Sequence, residues 1–139
     1  MHATAVATPA RASARAARYG ALGAILGLIG VAAGAFGAHA LKSGLAPAML
    51  EVFETATRYQ LSHAIALVLT ALAIERAPGS RALHAAGALF VAGIVLFSGS
   101  LYALSLVGPP QWGIVTPFGG LCFLAGWACL AASFLGRRG

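Results

Sequence analysis

The sequence predicts an all-α protein, an integral membrane bundle of four helices, and three observations carry that expectation. Of 139 residues, 60% are hydrophobic and 9% charged, against roughly 25% charged in a soluble domain. Two long stretches lack Asp, Glu, Lys and Arg altogether, Tyr19 to Leu41 and Ala82 to Gly136. Most arginines gather where apolar segments end. The length suits one domain, and no repeat or soluble module interrupts it.

Helix one is placed over residues 19–41, where the uncharged run supplies the roughly 20 residues a spanning helix needs. Residues 1–18, rich in Ala, Arg, Thr and Ser and free of acids, read as a basic, disordered tail that touches anionic lipid heads. Ala38-His39-Ala40 mimics a signal cleavage site, but the preceding run is longer than a usual signal core, so retention is expected. Helix two is placed over 47–75. The 82–136 stretch is too long for one span, and Gly108-Pro109-Pro110-Gln111 breaks it as a turn should. That gives helix three over 82–107 and helix four over 112–135. Pro117 falls inside helix four, where it frees a carbonyl.

Arginine placement sets an expected orientation. Arg11, Arg15 and Arg18 precede helix one, Arg76 and Arg81 flank the second connection, and Arg137 and Arg138 follow helix four. The first and third connections hold only Lys42. The positive-inside rule then places both termini on the cytoplasmic side of the inner (plasma) membrane. Net charge is +6, but the charge caps segment ends rather than lining a groove-reading element, so the expected partner is the lipid bilayer and not nucleic acid.

Gly23, Gly27, Gly30, Gly34 and Gly37 recur every three or four residues along helix one. Such stripes let helix backbones approach closely in lipid. The stripe can serve inside the bundle or join two copies into a homo-oligomer. Gly119 and Gly126 suggest a second close contact on helix four. Cys122 and Cys129 lie seven apart on one helix, too far for a disulfide, and read as small packing residues.

The first half of helix two carries two of the chain's three acids. Glu51, Glu54, Thr55, Arg58, Tyr59, Ser62 and His63 fall in one half of its wheel, with Phe53, Thr57, Leu61 and Ala64 opposite and Gln60 near them. Charges inside a bilayer usually face a bundle interior or a partner, and Glu54 with Arg58 is correctly spaced for an ion pair. Folding neighbours antiparallel brings His39 level with Glu51, Glu54 with Tyr102, Arg58 with Ser98, and Tyr102 with Pro117. The expected polar cluster is therefore His39, Glu51, Glu54, Arg58, Tyr59, His63, Ser98, Ser100, Tyr102 and Thr116, all in the outer half of the bundle.

Three functions compete for that cluster. A structural or assembly role leads, with the polar groups satisfying one another. A small proton-coupled carrier or channel would use Glu54, Arg58 and His63. A lipid-binding or lipid-modifying role, with Glu54 or His39 as base, ranks last. No histidines come level for haem, no metal motif occurs, and no nucleophile motif is present, so no cofactor, metal or catalytic residue is expected.

Together, Gly34-Ala35-Phe36-Gly37-Ala38-His39-Ala40-Leu41, Phe53-Glu54-Thr55-Ala56, Arg58-Tyr59-Gln60, His63-Ala64, Phe97-Ser98-Gly99-Ser100-Leu101-Tyr102, Thr116-Pro117, Gly119-Gly120 and Gly126-Trp127 resemble the domain of unknown function 423 family, which includes small bacterial inner-membrane proteins and the transmembrane protein 256 group. The likeness covers roughly residues 20–135. It implies a four-helix membrane protein and supplies no reaction, ligand or catalytic residue.

Overall fold

The computed structural model describes residues 9–136, with side chains from residue 13 onward. Four helical rods run antiparallel in chain order. Helix α1 spans Pro9–Phe36 and ends in a π-helical turn, Gly37–Leu41. Helix α2 spans Pro47–Arg76. The third rod is α3, Arg81–Gly93, continued through a π turn, Ile94–Ser98, into α4, Gly99–Val107. Helix α5 spans Trp112–Leu135. The rods of α1, of α3 with α4, and of α5 are each long and apolar enough to cross a membrane. At 30 residues, α2 is about 45 Å long, ample for a span despite its polar start.

Local chemistry explains the boundaries. Pro47 opens α2, its fixed φ suited to a first turn. Ser80 caps α3, its hydroxyl accepting from the Leu83 N–H at 3.4 Å. Gly108 closes α4 at φ 94°, left-handed backbone that only glycine adopts cheaply. The start of α1 differs from expectation. It lies at Pro9, so residues 9–18 are helical rather than tail, because alanine and arginine are strong helix formers whatever their hydropathy. Residues 1–8 of the expected tail, and Arg137 and Arg138, lie outside the described residues.

The glycine stripe of α1 faces α2. A Cβ on Gly23 would lie 2.9 Å from the Ala64 carbonyl, one on Gly30 2.8 Å from Leu61, and one on Gly37 2.9 Å from the Phe53 ring. Gly34 leaves 3.4 Å to Thr57, while Gly27 has nothing within 4 Å. Main chain thus meets side chain directly, which is how helices associate where both are already out of water. The other side of α1 shows Ile25, Leu28, Ile29 and Val31 to the surroundings.

The core fills the end of the bundle nearest the arginines, with Leu67, Ile74, Leu83 and Phe90 wholly buried. Here Tyr19 reaches from α1 across Gly87 to donate to the His84 carbonyl at 3.4 Å. Both α2 and α5 pack on the third rod, but their own backbones stay apart. Aromatic side chains bridge that gap, and the site forms there.

Candidate functional site

The half of α2 that turns inward is the one opposite the charges. Phe53, Ala56, Thr57, Gln60 and Ala64 are buried, whereas Glu51, Glu54 and Arg58 are exposed. The expectation that these charges face the bundle interior is therefore corrected, and helix length supplies the reason. A hydrocarbon layer about 30 Å thick takes about 20 residues of helix. For an α2 that spans with Glu75 and Arg76 at one edge, such a layer would end near Thr55, leaving Glu51 and Glu54 at headgroup level with no need of an internal partner. Arg58 lies about one turn deeper and points its guanidinium back towards that edge, donating to the Thr55 hydroxyl at 3.2 Å. The expected Glu54–Arg58 ion pair does not form among the described residues, the guanidinium turning to Thr55 instead. His39 is likewise exposed, on the π turn that ends α1. Exchanging Glu54 for Gln or Arg58 for Leu should leave the thermal midpoint of detergent-purified protein unchanged, since neither side chain holds helices together. A clear loss of stability in either variant would restore the ion-pair reading.

Inside, polar groups pair in three places. In the first, the Gln60 amide, 3% exposed, donates to the Leu26 carbonyl of α1 at 2.8 Å. Its oxygen accepts from the Tyr102 hydroxyl of α4 at 2.9 Å, and that phenol also lies 3.2 Å from Thr57 Oγ1. One side chain thereby ties three helices. In the second, the Ser100 and Thr116 hydroxyls meet at 2.7 Å between α4 and α5. In the third, the indole of Trp127 donates to His63 Nε2 at 3.1 Å, and His63 Nδ1 lies 2.7 Å from the Tyr59 carbonyl. An indole only donates, so Nε2 must accept, and Nδ1 carries the proton and donates to the carbonyl. The imidazole is thus neutral with both nitrogens engaged. Ser98, wholly buried on the π turn, has a hydroxyl without a hydrogen-bond partner among the described residues.

Ser100 meets Thr116 rather than Gly119, which the expected Tyr102–Pro117 register sets level with it, and Tyr102 does reach α2, but its partners are Thr57 and Gln60, about a turn deeper than Glu54. Sequence reasoning missed Gln60, Thr57 and Trp127. Gln60 falls near the apolar half of the wheel, where a lone amide is itself the signal of a buried bond. Trp127 carried a signal too, a tryptophan well inside a span rather than at its edge.

Between α2 and α5 lies a half-open cavity of about 480 Å³. Its α2 wall is Tyr59 and His63, and Phe97 forms the back. Pro117, Gly120, Phe123 and Trp127 make the α5 wall, with Leu121 and Leu124 at the lip. Aromatic contacts set its shape. The His63 ring stacks on Phe123 at 3.5 Å between centroids, Tyr59 lies 4.5 Å from Phe97, and Trp127 meets Phe90 edge-on at 5.3 Å. The lining carries no charge.

The glycines of α5 bring the third rod close. Gly119 backs directly on the main chain of Phe97, and a Cβ on Gly126 would lie 2.8 Å from Phe90. The π turn lies at this crossing. In α4 beyond it, two residues of ordinary helix turn about 200°, so Ser100 faces α5 while Tyr102 faces α2.

Comparison with known proteins agrees with this architecture. The family described as "Protein of unknown function (DUF423)" matches residues 33–120. The UPF0382 membrane protein YwdK of Bacillus subtilis is 40% identical over 99 residues, 71% of this chain and 80% of that protein. The UPF0382 inner membrane protein YgdD of Escherichia coli K12 is 42% identical over 107 residues, 76% of this chain and 81% of that protein. A Staphylococcus aureus relative, UPF0382 membrane protein SAB0533, is 42% identical over 96 residues, 69% of this chain and 77% of that protein. No solved structure matches. With a central match of this extent and relatives sharing about two residues in five, the chain belongs to the DUF423 family of integral membrane proteins, whose activity is unknown.

Proposed function

We propose that the protein works as a structural or assembly element of the inner membrane, acting through its surfaces rather than by passing a solute through its interior. The observation that carries this is that the inward polar groups pair with one another, the Ser98 hydroxyl excepted. Gln60, Tyr102 and Thr57 satisfy one another and an α1 carbonyl. Ser100 pairs with Thr116, and His63 with Trp127. A solute path needs polar groups presented to water along its length, and the charged residues a carrier would use stand on the outer face of α2. The arginines support an orientation with both termini in the cytoplasm. An inner-membrane location is taken from the name of the YgdD relative.

Single cysteines on a Cys122→Ser, Cys129→Ser background test both points with a membrane-impermeant thiol reagent. In intact cells, cysteines at Ser43 and Glu54 should label, and those at Thr57, Ser98 and Ser100 should stay silent. A cysteine at Ser80 should label only after the membrane is opened. Labelling of Ser98 and Ser100 from outside would reveal a wet path and overturn the assembly reading in favour of a carrier.

A further inference from the structure

We infer that the cavity between α2 and α5 is a binding site for a neutral membrane lipid whose head is a hydroxylated aromatic ring, an isoprenoid quinol in chemical class. Four observations converge on that chemistry. The first is depth. With the hydrocarbon layer running from about Thr55 to Ile74, His63 lies near the bilayer mid-plane, and Trp127 is bonded to it at 3.1 Å. A phospholipid head cannot reach that level without burying its charge, whereas a neutral ring on an apolar chain can. The second is charge. The walls hold no Asp, Glu, Lys or Arg, so nothing there would attract or neutralise an ionic head. The third is shape. Tyr59, Phe97, Phe123 and Trp127 offer ring faces and edges, and about 480 Å³ is within the range of small-ligand pockets.

The fourth observation selects the hydroxyl. Trp127 is 46% exposed and spends its N–H on the acceptor nitrogen of His63. Wedging these two apart with an apolar group would leave a donor and an acceptor unpaired in hydrocarbon, a costly outcome. A hydroxyl both donates and accepts. Inserted between them, it donates to His63 Nε2 and accepts from the indole, replacing one bond with two. A quinone carbonyl would satisfy the indole and strand His63, so the reduced form is the preferred ligand. The exposed lip residues Leu121 and Leu124 then border the apolar tail as it leaves for the bilayer.

Binding can be read from the fluorescence of Trp127 in full-length protein in lipid nanodiscs, on a Trp112→Phe background so that one indole reports. The probes are decylhydroquinone, with decylbenzene and decanol as partners that keep the tail but lose the hydroxyls or the ring. The expected result is saturable quenching by decylhydroquinone at a concentration at least tenfold below that needed with either control. His63→Phe, which keeps a ring but removes the acceptor, should weaken decylhydroquinone at least tenfold. Gly120→Leu should abolish the response by filling the cavity. Gly120 has room for a Cβ, 3.9 Å from Phe97, so this variant should fold and keep the proposal testable if His63→Phe does not. Equal responses to decylhydroquinone and decylbenzene, or a response unaltered in Gly120→Leu, would overturn the site. A stronger response to decanol would reassign it to an aliphatic alcohol and refute the aromatic head.

Discussion

Gly119→Ala should destabilise the protein by about 3 kcal/mol, the upper end of what overpacking costs, and sharply reduce the folded yield. An added Cβ would press on the nitrogen and Cα of Phe97, and main-chain atoms of a helix cannot step aside as a side chain can. Neighbouring Gly120 is the matched control, because a Cβ there stands 3.9 Å from the edge of the same residue's ring. Gly120→Ala should behave like wild type. Thermal unfolding in one detergent, followed by size-exclusion recovery of monodisperse protein, compares the two. Equal midpoints for the Gly119 and Gly120 variants would mean that the third rod and α5 do not cross at this point.

Gln60→Leu is expected to have the second largest effect, about 1–2 kcal/mol, the range for interhelical hydrogen bonds in model membrane helices. Leucine keeps the size of the side chain and removes both of its links, to Leu26 in α1 and Tyr102 in α4. Tyr102→Phe should cost less, since it cuts only the α4 side. The telling quantity is the double variant. Its loss should fall short of the two single losses added together, because both remove the same Gln60–Tyr102 bond. Strict additivity would show that the amide and the phenol act independently.

Both sites show what the sequence disclosed and what it hid. The membrane class, the number of rods and most boundaries followed from the charge-free runs and the Gly-Pro-Pro break, since the bilayer fixes span length and loops must escape it. Helix α5 begins and ends at the expected residues, 112 and 135. The start of α1 was hidden because hydropathy marks where lipid begins, not where a helix does. The polar cluster was legible as a set of residues but not as an arrangement. Antiparallel arithmetic about the turn made the third rod and α5 neighbours, but it set Ser100 level with Gly119, and the hydroxyl pairs with Thr116 instead. Glu54 and Arg58 were drawn inward by the rule that charges avoid lipid, which applies only at depth, and these two sit at or near its edge. Gln60 was hidden for the opposite reason. It stands alone among apolar neighbours, and only the path of α1 reveals what it binds. The π turn at Ile94–Ser98 has no sequence signature that periodicity could expose, because its extra residue is absorbed without a break.

The bonds of Gln60 also impose an order on synthesis. Its amide donates to a carbonyl 34 residues earlier in the chain, yet its oxygen awaits a phenol 42 residues later. When α2 has left the ribosome, α1 is already present, so the donor side can close within the first hairpin. The acceptor side stays open until α4 is made. The nascent α1–α2 hairpin therefore enters the bilayer with one lone pair unanswered, and the arrival of Tyr102 completes it. A single glutamine thus records whether the second hairpin has joined the first.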